Sequence, residues 1–197
     1  MEKLRGVILC GGKSLRMGTD KGLIKLHANT WAQTAMDKLA GLPVPTLLSV
    51  SEVQYPDYLE VFSDQHLVKD NPDMDFHGPL AGVLSVHLQH PEDDLLVMAC
   101  DMPLMEISMV KELLLLYQEQ PSAAAFVFTN NNEPEPLCAI YTARGLAHVY
   151  QLWLAKQLTR HSMKFVLGHL HTVSAPLKDF QKKYFRNFNA HAELNGL

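Results

Sequence analysis

The sequence predicts an α/β fold in which a mostly parallel sheet lies between two layers of helices. Three observations point to it. Short apolar runs such as Gly6-Val7-Ile8-Leu9-Cys10 and Leu95-Leu96-Val97-Met98-Ala99-Cys100 lack the alternation of a half-exposed strand, as strands buried on both faces do. They alternate along the chain with helical patterns, the order that parallel crossovers require. The 197 residues, 47% of them hydrophobic, suffice for one sizeable core, so residues 1–197 are expected to form a single three-layer αβα domain.

The elements follow in order. Residues 5–10 form the first strand. Thr30 is placed to cap a helix running through Leu39, with Trp31, Ala35 and Leu39 on its buried side and Gly41 just beyond. Residues 45–51 read as a second strand, 55–62 as a short helix and 66–69 as a short third strand. Pro79 suits the first turn of a helix over Pro79–Gln89, where Leu80, Val83, Leu84 and Leu88 recur at helical spacing. Residues 94–100 give a strongly apolar fourth strand, and Ile107–Glu119 an amphipathic helix whose leucines 113–116 belong to the core. Strands over 123–129 and 137–141 flank Asn130-Asn131-Asn132, a turn signal. A helix over 143–158, a short helix over 162–167, a strand near 169–174, a last strand over 184–188 and a helical turn over 190–194 complete the pattern.

The most informative stretch follows the first strand: Leu9-Cys10-Gly11-Gly12-Lys13-Ser14-Leu15-Arg16-Met17-Gly18-Thr19-Asp20-Lys21. Glycines let the main chain approach an anion closely, with N–H groups available to phosphate oxygens. Arg16 and Lys21 offer charge-assisted contacts. The carboxyl end of a first strand is where an α/β sheet places a nucleotide. Gly12-Lys13-Ser14 spells the end of a P-loop, but the position where that motif needs its first glycine is Val7, inside the strand. The dinucleotide fingerprint fails too, because Gly11 and Gly12 are adjacent and the next glycine is Gly18. An ordinary glycine-rich turn explains Gly11-Gly12 but not the added Arg16, Gly18 and Lys21. Net charge is −4, yet Lys13, Arg16, Lys21 and Lys25 cluster with a single acid, Asp20, so an acidic chain carries a loop suited to a compact polyanion.

This string resembles the L-x-G-G-x-S-x-R-M-G-x-D-K signature of molybdenum cofactor guanylyltransferases. These belong to the nucleotidyltransferases with a glycosyltransferase-A-like Rossmann fold. The match is unbroken over Leu9, Gly11, Gly12, Ser14, Arg16, Met17, Gly18, Asp20 and Lys21. The resemblance implies a Rossmann-like αβα domain of nucleotidyltransferase type. It also implies nucleotide contacts from Leu9, Cys10, Gly11 and Gly12, with Arg16 and Lys21 stabilising the triphosphate and the departing pyrophosphate.

Asp101 directly follows the fourth strand. A carboxylate there suits Mg²⁺, which takes one or two protein carboxylates plus substrate phosphates and water; taken alone, it is as readily a helix cap or turn residue. Cys100-Asp101-Met102-Pro103 is similar to the family's C-D-x-P segment, whose aspartate binds Mg²⁺. Gly78-Pro79-Leu80-Ala81-Gly82 resembles a G-P-L-A-G segment beside the nucleotide; a tight turn with close helix packing explains it equally well. Asp70 resembles the aspartate that contacts the guanine nucleotide, with Asp73 nearby in the same acidic stretch. Ser51 replaces a nucleotide-contacting asparagine and loses the amide's paired donor and acceptor. Glu135-Pro136 resembles the segment lining the second-substrate side, where histidine or glutamine is usual before the proline. Asn187-Phe188-Asn189 resembles the start of an N-x-N-T-P segment and gives Asn189 a nucleotide role, although Ala190 and His191 replace the threonine and proline.

The acidic balance argues against nucleic-acid binding, and no apolar run approaches the ~20 residues of a membrane span. Glu2 and the early first strand fit no signal peptide, and three scattered cysteines suit a reduced, cytoplasmic setting. The pairs His87/His90 and His169/His171 are expected as solvated surface residues. The resemblance therefore implies a Mg²⁺-dependent enzyme that moves GMP from GTP to the terminal phosphate of molybdenum–molybdopterin and releases pyrophosphate. GTP and the molybdopterin cofactor are its substrates, and molybdenum-insertion and molybdoenzyme-maturation proteins its further partners. Arg16, Lys21 and Asp101 are the catalytic candidates. A cytidylyltransferase, which tends to have alanine for the first of the paired glycines, or another small-phosphate nucleotidyltransferase is the alternative; a non-catalytic guanine-nucleotide-binding adaptor is the other.

Overall fold

The computed structural model describes residues 3–11, 20–26 and 28–188. Through these run strands β1 (Leu4–Leu9), β2 (Lys25–Leu26), β3 (Asn29–Thr30), β4 (Thr46–Val50), β5 (Leu67–Lys69), β6 (Asp94–Ala99), β7 (Ala125–Asn130), β8 (Glu133–Tyr141) and β9 (Thr172–Pro176). The helices are α1 (Trp31–Leu39), α2 (Tyr55–Leu59), α3 (Pro79–Gln89), α4 (Ile107–Glu119), α5 (Ala143–Leu154) and α6 (Met163–Leu167). One sheet has the order β5-β4-β1-β6-β8-β7-β9, in which β8 runs antiparallel to both neighbours and the other pairings are parallel. From β1 the chain builds outward through β4 to β5, then crosses back to β6 on β1's other side. The strand order thus reverses between β1 and β6, in register Leu9↔Ala99. A crevice for ligand opens at such a reversal, beyond the carboxyl ends of the strands.

Alternate residues of the central strands feed two cores. Ile8, Leu48, Leu96 and Met98 pack with residues of α1 and α4; Val7, Leu47, Leu95 and Val97 pack with α3, α5 and α6. Thr30 caps α1 by accepting from Gln33 N at 3.1 Å, and Pro79 opens α3.

Several elements depart from the sequence expectations. The two-residue strands β2 and β3 form a separate hairpin too short to carry a periodicity. β8 begins at Glu133 rather than 137, because Pro134 and Pro136 mask a strand. They are tolerated because they lie beyond Met98↔Cys138, the last register pair with β6. Asn131 and Asn132 turn the chain with φ of 51° and 66°, and a bulge between Val127 and Phe128 resets the β7–β8 register. Helix α5 stops at Leu154, and Lys156 turns the chain at φ 57°. Residues 184–188, expected as a strand, include the end of a 3₁₀ helix, Asp179–Phe185; Phe185 and Phe188 are both buried at a three-residue spacing, not an alternating one. His87 is buried on α3 and not solvated. The helical turn expected over 190–194 lies outside the described residues.

Candidate nucleotide site at the carboxyl edge of the sheet

The crevice floor is set by the ladder itself. Cys10 N donates to Ser49 O at 2.9 Å, and Cys100 N donates to Leu9 O at 3.1 Å, so the chain beyond β1 emerges between β4 and β6. A Cβ added to Gly11 would lie 3.8 Å from Asp70 Oδ2, 3.9 Å from Ser51 N and 4.0 Å from Gln54 Oε1. Three residues singled out from sequence, Gly11, Ser51 and Asp70, therefore meet at one point. Asp70 is held there by its N–H, which bonds Val50 O at 2.9 Å, and the next residue is tied to α3 by Asn71 N donating to Ser85 Oγ at 2.7 Å. Burial pushes the Asp70 carboxyl up to about 6, against the pull of nearby His77, and its Oδ1 has no hydrogen-bond partner among the described residues. Asp73 is exposed, so Asp70 is the acid that faces the crevice.

On the other side of β1, Lys21 Nζ lies 3.4 Å from Asp101 Oδ2. Both groups are largely withdrawn from solvent, with side chains 25% and 19% exposed, so the pair is less screened than a surface salt bridge. Burial raises the Asp101 pKa and Lys21 opposes it; Asp101 Oδ1 is buried without a partner among the described residues. Lys21 is aimed by Asp20. The Asp20 carboxylate caps a 3₁₀ turn over Lys21–Leu23, accepting from Gly22 N at 2.8 Å and from Tyr58 OH at 2.7 Å through Oδ1, and from Gln54 Nε2 through Oδ2. Gly22 is required because any side chain there would strike the Tyr58 hydroxyl.

Helix α3 brings its amino terminus to the same edge. A Cβ at Gly82 would collide with Ser49 Oγ and lie 3.2 Å from a Leu9 methyl, which explains the second glycine of the Gly78–Gly82 segment by packing. Gly78 takes φ 92°, a backbone that disfavours any side chain, one turn nearer the crevice. The chain also returns at its far end: Phe188 N donates to Asp101 O at 3.0 Å, and the Phe188 ring is buried with Ile24 and Trp31. Of the residues expected at the site, Leu9, Cys10, Gly11, Lys21, Ser51, Asp70, Gly78 and Asp101 line or flank this edge; Gly12, Arg16 and Asn189 lie outside the described residues. Sequence reasoning missed Gln54 and Tyr58. The signal available was position: Gln54 immediately precedes α2, and Tyr58 lies one turn along it.

The sequence profile of the MobA-like NTP transferase domain matches residues 6–173. A probable molybdenum cofactor guanylyltransferase of Flavobacterium johnsoniae is 28% identical over 198 aligned residues, covering 100% of this chain and 97% of that protein. A molybdenum cofactor guanylyltransferase of Vibrio cholerae is 30% identical, covering 95% and 88%. The crystal structure of molybdopterin-guanine dinucleotide biosynthesis protein A from Archaeoglobus fulgidus superposes with a TM-score of 0.77 at 19% identity, covering 98% of this chain and 95% of that one, and has the same fold. With its phosphate-loop stem, opposed lysine and aspartate and matching profile, the chain belongs to the MobA-like NTP transferase family and is a nucleotidyltransferase.

Proposed function

We propose that this chain, as one domain, transfers GMP from GTP to the terminal phosphate of a molybdopterin cofactor and releases pyrophosphate. The observation that carries the reading is the Lys21–Asp101 pair, 3.4 Å apart across the strand reversal that opens the crevice, opposite Gly11, Ser51 and Asp70. The names of the relatives from Flavobacterium johnsoniae and Vibrio cholerae supply the substrate class. In this reading Ser51 and Asp70 meet the nucleoside. Leu9, Cys10, Gly11 and Gly12 lie along the phosphates, Gly78 and Asn189 flank the nucleotide, and Arg16 and Lys21 face the β- and γ-phosphates. The attacking phosphate is already an anion, so alignment and charge neutralisation are the work the protein must do.

Asp101 fits a resident Mg²⁺: its Oδ1 is buried without a partner among the described residues, and Mg²⁺ needs few protein ligands when phosphates and water supply the rest. When bound, the ion would neutralise phosphate oxygens. Lys21, aimed by Asp20, places its ammonium where charge grows on the leaving pyrophosphate. Among the described residues no helix is long and apolar enough to cross a membrane; we place the reaction in the cytoplasm, beside molybdenum-insertion and molybdoenzyme-maturation proteins, where buried free thiols at Cys10, Cys100 and Cys138 persist.

The test is a nucleotide panel with molybdopterin and Mg²⁺, read by pyrophosphate release. GTP should be the preferred donor; preference for CTP would make the chain a cytidylyltransferase, and binding without release would make it an adaptor. Lys21→Ala and Asp101→Asn should each lower the rate about 100-fold or more, and undiminished turnover in either removes that residue's assigned role.

A further inference from the structure

The Gln54 carboxamide uses its full hydrogen-bonding capacity at the site. Its Nε2 donates to Cys10 O at 3.1 Å and to Asp20 Oδ2; its Oε1 accepts from Ser51 N at 3.0 Å and from Ser51 Oγ at 2.7 Å. The two acceptors on one side and the main-chain donor on the other fix which way the amide faces. Two consequences follow. Cys10 and Asp20 are the stems on either side of the glycine-rich segment, so one amide group holds them together. The Ser51 hydroxyl has its proton committed to Gln54, so toward the crevice it offers lone pairs only.

We infer that Gln54 is a positioning residue for the nucleotide: it clamps the stems of the phosphate loop and polarises Ser51, so that Ser51 accepts a hydrogen bond from an N–H or O–H donor of the nucleoside. The inference rests on the reading of this crevice as a guanine-nucleotide site and extends it. The donor is a ribose hydroxyl or the exocyclic amino group of the guanine. A serine can thereby meet a nucleoside donor without an asparagine's own amide, because Gln54 determines its polarity.

Three variants separate the two roles. Gln54→Glu keeps the acceptor toward Ser51 but loses the donors to Cys10 and Asp20. Gln54→Met keeps the size and loses both functions. Ser51→Ala removes the acceptor alone. Equilibrium binding of GTP, 2′-deoxy-GTP, 3′-deoxy-GTP and inosine triphosphate is measured by calorimetry for each, alongside kcat and KM. Wild type should bind one analogue about tenfold less tightly than GTP, and which one identifies the donor. Ser51→Ala and Gln54→Met should lose that discrimination, while Gln54→Glu retains it yet loses about tenfold or more in kcat with the molybdopterin KM unchanged. The clamp is overturned if Gln54→Glu has wild-type kcat, and the acceptor role if Ser51→Ala discriminates as wild type does. Binding needs no turnover, so a wild-type protein that binds GTP without transferring GMP would defeat the proposed reaction and leave the Ser51 half of this test standing.

Discussion

In the proposed reading, Asp70 serves binding at the expense of the fold. Its carboxyl titrates near 6 in the folded chain against 3.8 for the free side chain, because burial disfavours the charge. A raised acid contributes stability below its unfolded value, and that contribution is lost as pH rises through the folded value. Asp70→Asn should therefore melt higher than wild type above about pH 6, with the gap closing below about pH 4, while its preference for GTP falls. Thermal melts across that range and competition between GTP and CTP check both halves. In wild type, guanine-nucleotide affinity should weaken as pH drops through about 6, because the protonated carboxyl offers fewer acceptors. Lys21 and Asp101 differ in kind: each partly offsets the cost of withdrawing the other from water, and a phosphate entering between them would meet a cation already in place.

The element that matters most is the single 3₁₀ turn over Lys21–Leu23, wedged against α2 by the Tyr58 hydroxyl. Gly22→Ala should cost about 1–3 kcal/mol, since the new methyl group and the Tyr58 oxygen compete for one space. Tyr58→Phe removes a donor to Asp20 and should cost about 1 kcal/mol. The double variant should cost less than the sum, because the phenyl ring vacates the space that the added methyl group needs; strict additivity in urea melts would refute the wedge. This coupling was not legible in the sequence. Glycine-rich stems and a carboxylate after a strand are local signals, and they singled out Gly11, Lys21 and Asp101, which the fold brings to one edge of the sheet. The contacts of Gln54 and Tyr58 with Asp20 join residues more than thirty positions apart, and nothing in local composition marks them. The same limit hid the first four residues of β8, where two prolines are tolerated because the hairpin overhangs β6.

At the scale of the whole molecule, the mostly parallel sheet between helical layers did follow from sequence, because alternating apolar runs and helical patterns leave few ways to bury both faces of a parallel sheet. Its acid stability should reflect His87, which is 4% exposed, with Nδ1 unpartnered among the described residues and its pKa lowered from 6.5 by burial. The unfolded chain takes the proton first, so stability should fall as pH drops below 6.5 and go on falling until the folded value is passed. His90, lowered by burial and by Arg5, acts in the same direction. His87→Met should flatten that acid slope in chemical denaturation, and an unchanged slope would discard the explanation. Finally, the bond from Phe188 N to Asp101 O has a practical corollary. Residue 188 lies beside Asp101, whereas residue 3 precedes β1 at the sheet's opposite edge. In the proposed reading a bulky label attached at residue 188 should slow nucleotide entry, whereas one attached at residue 3 should leave the entrance clear.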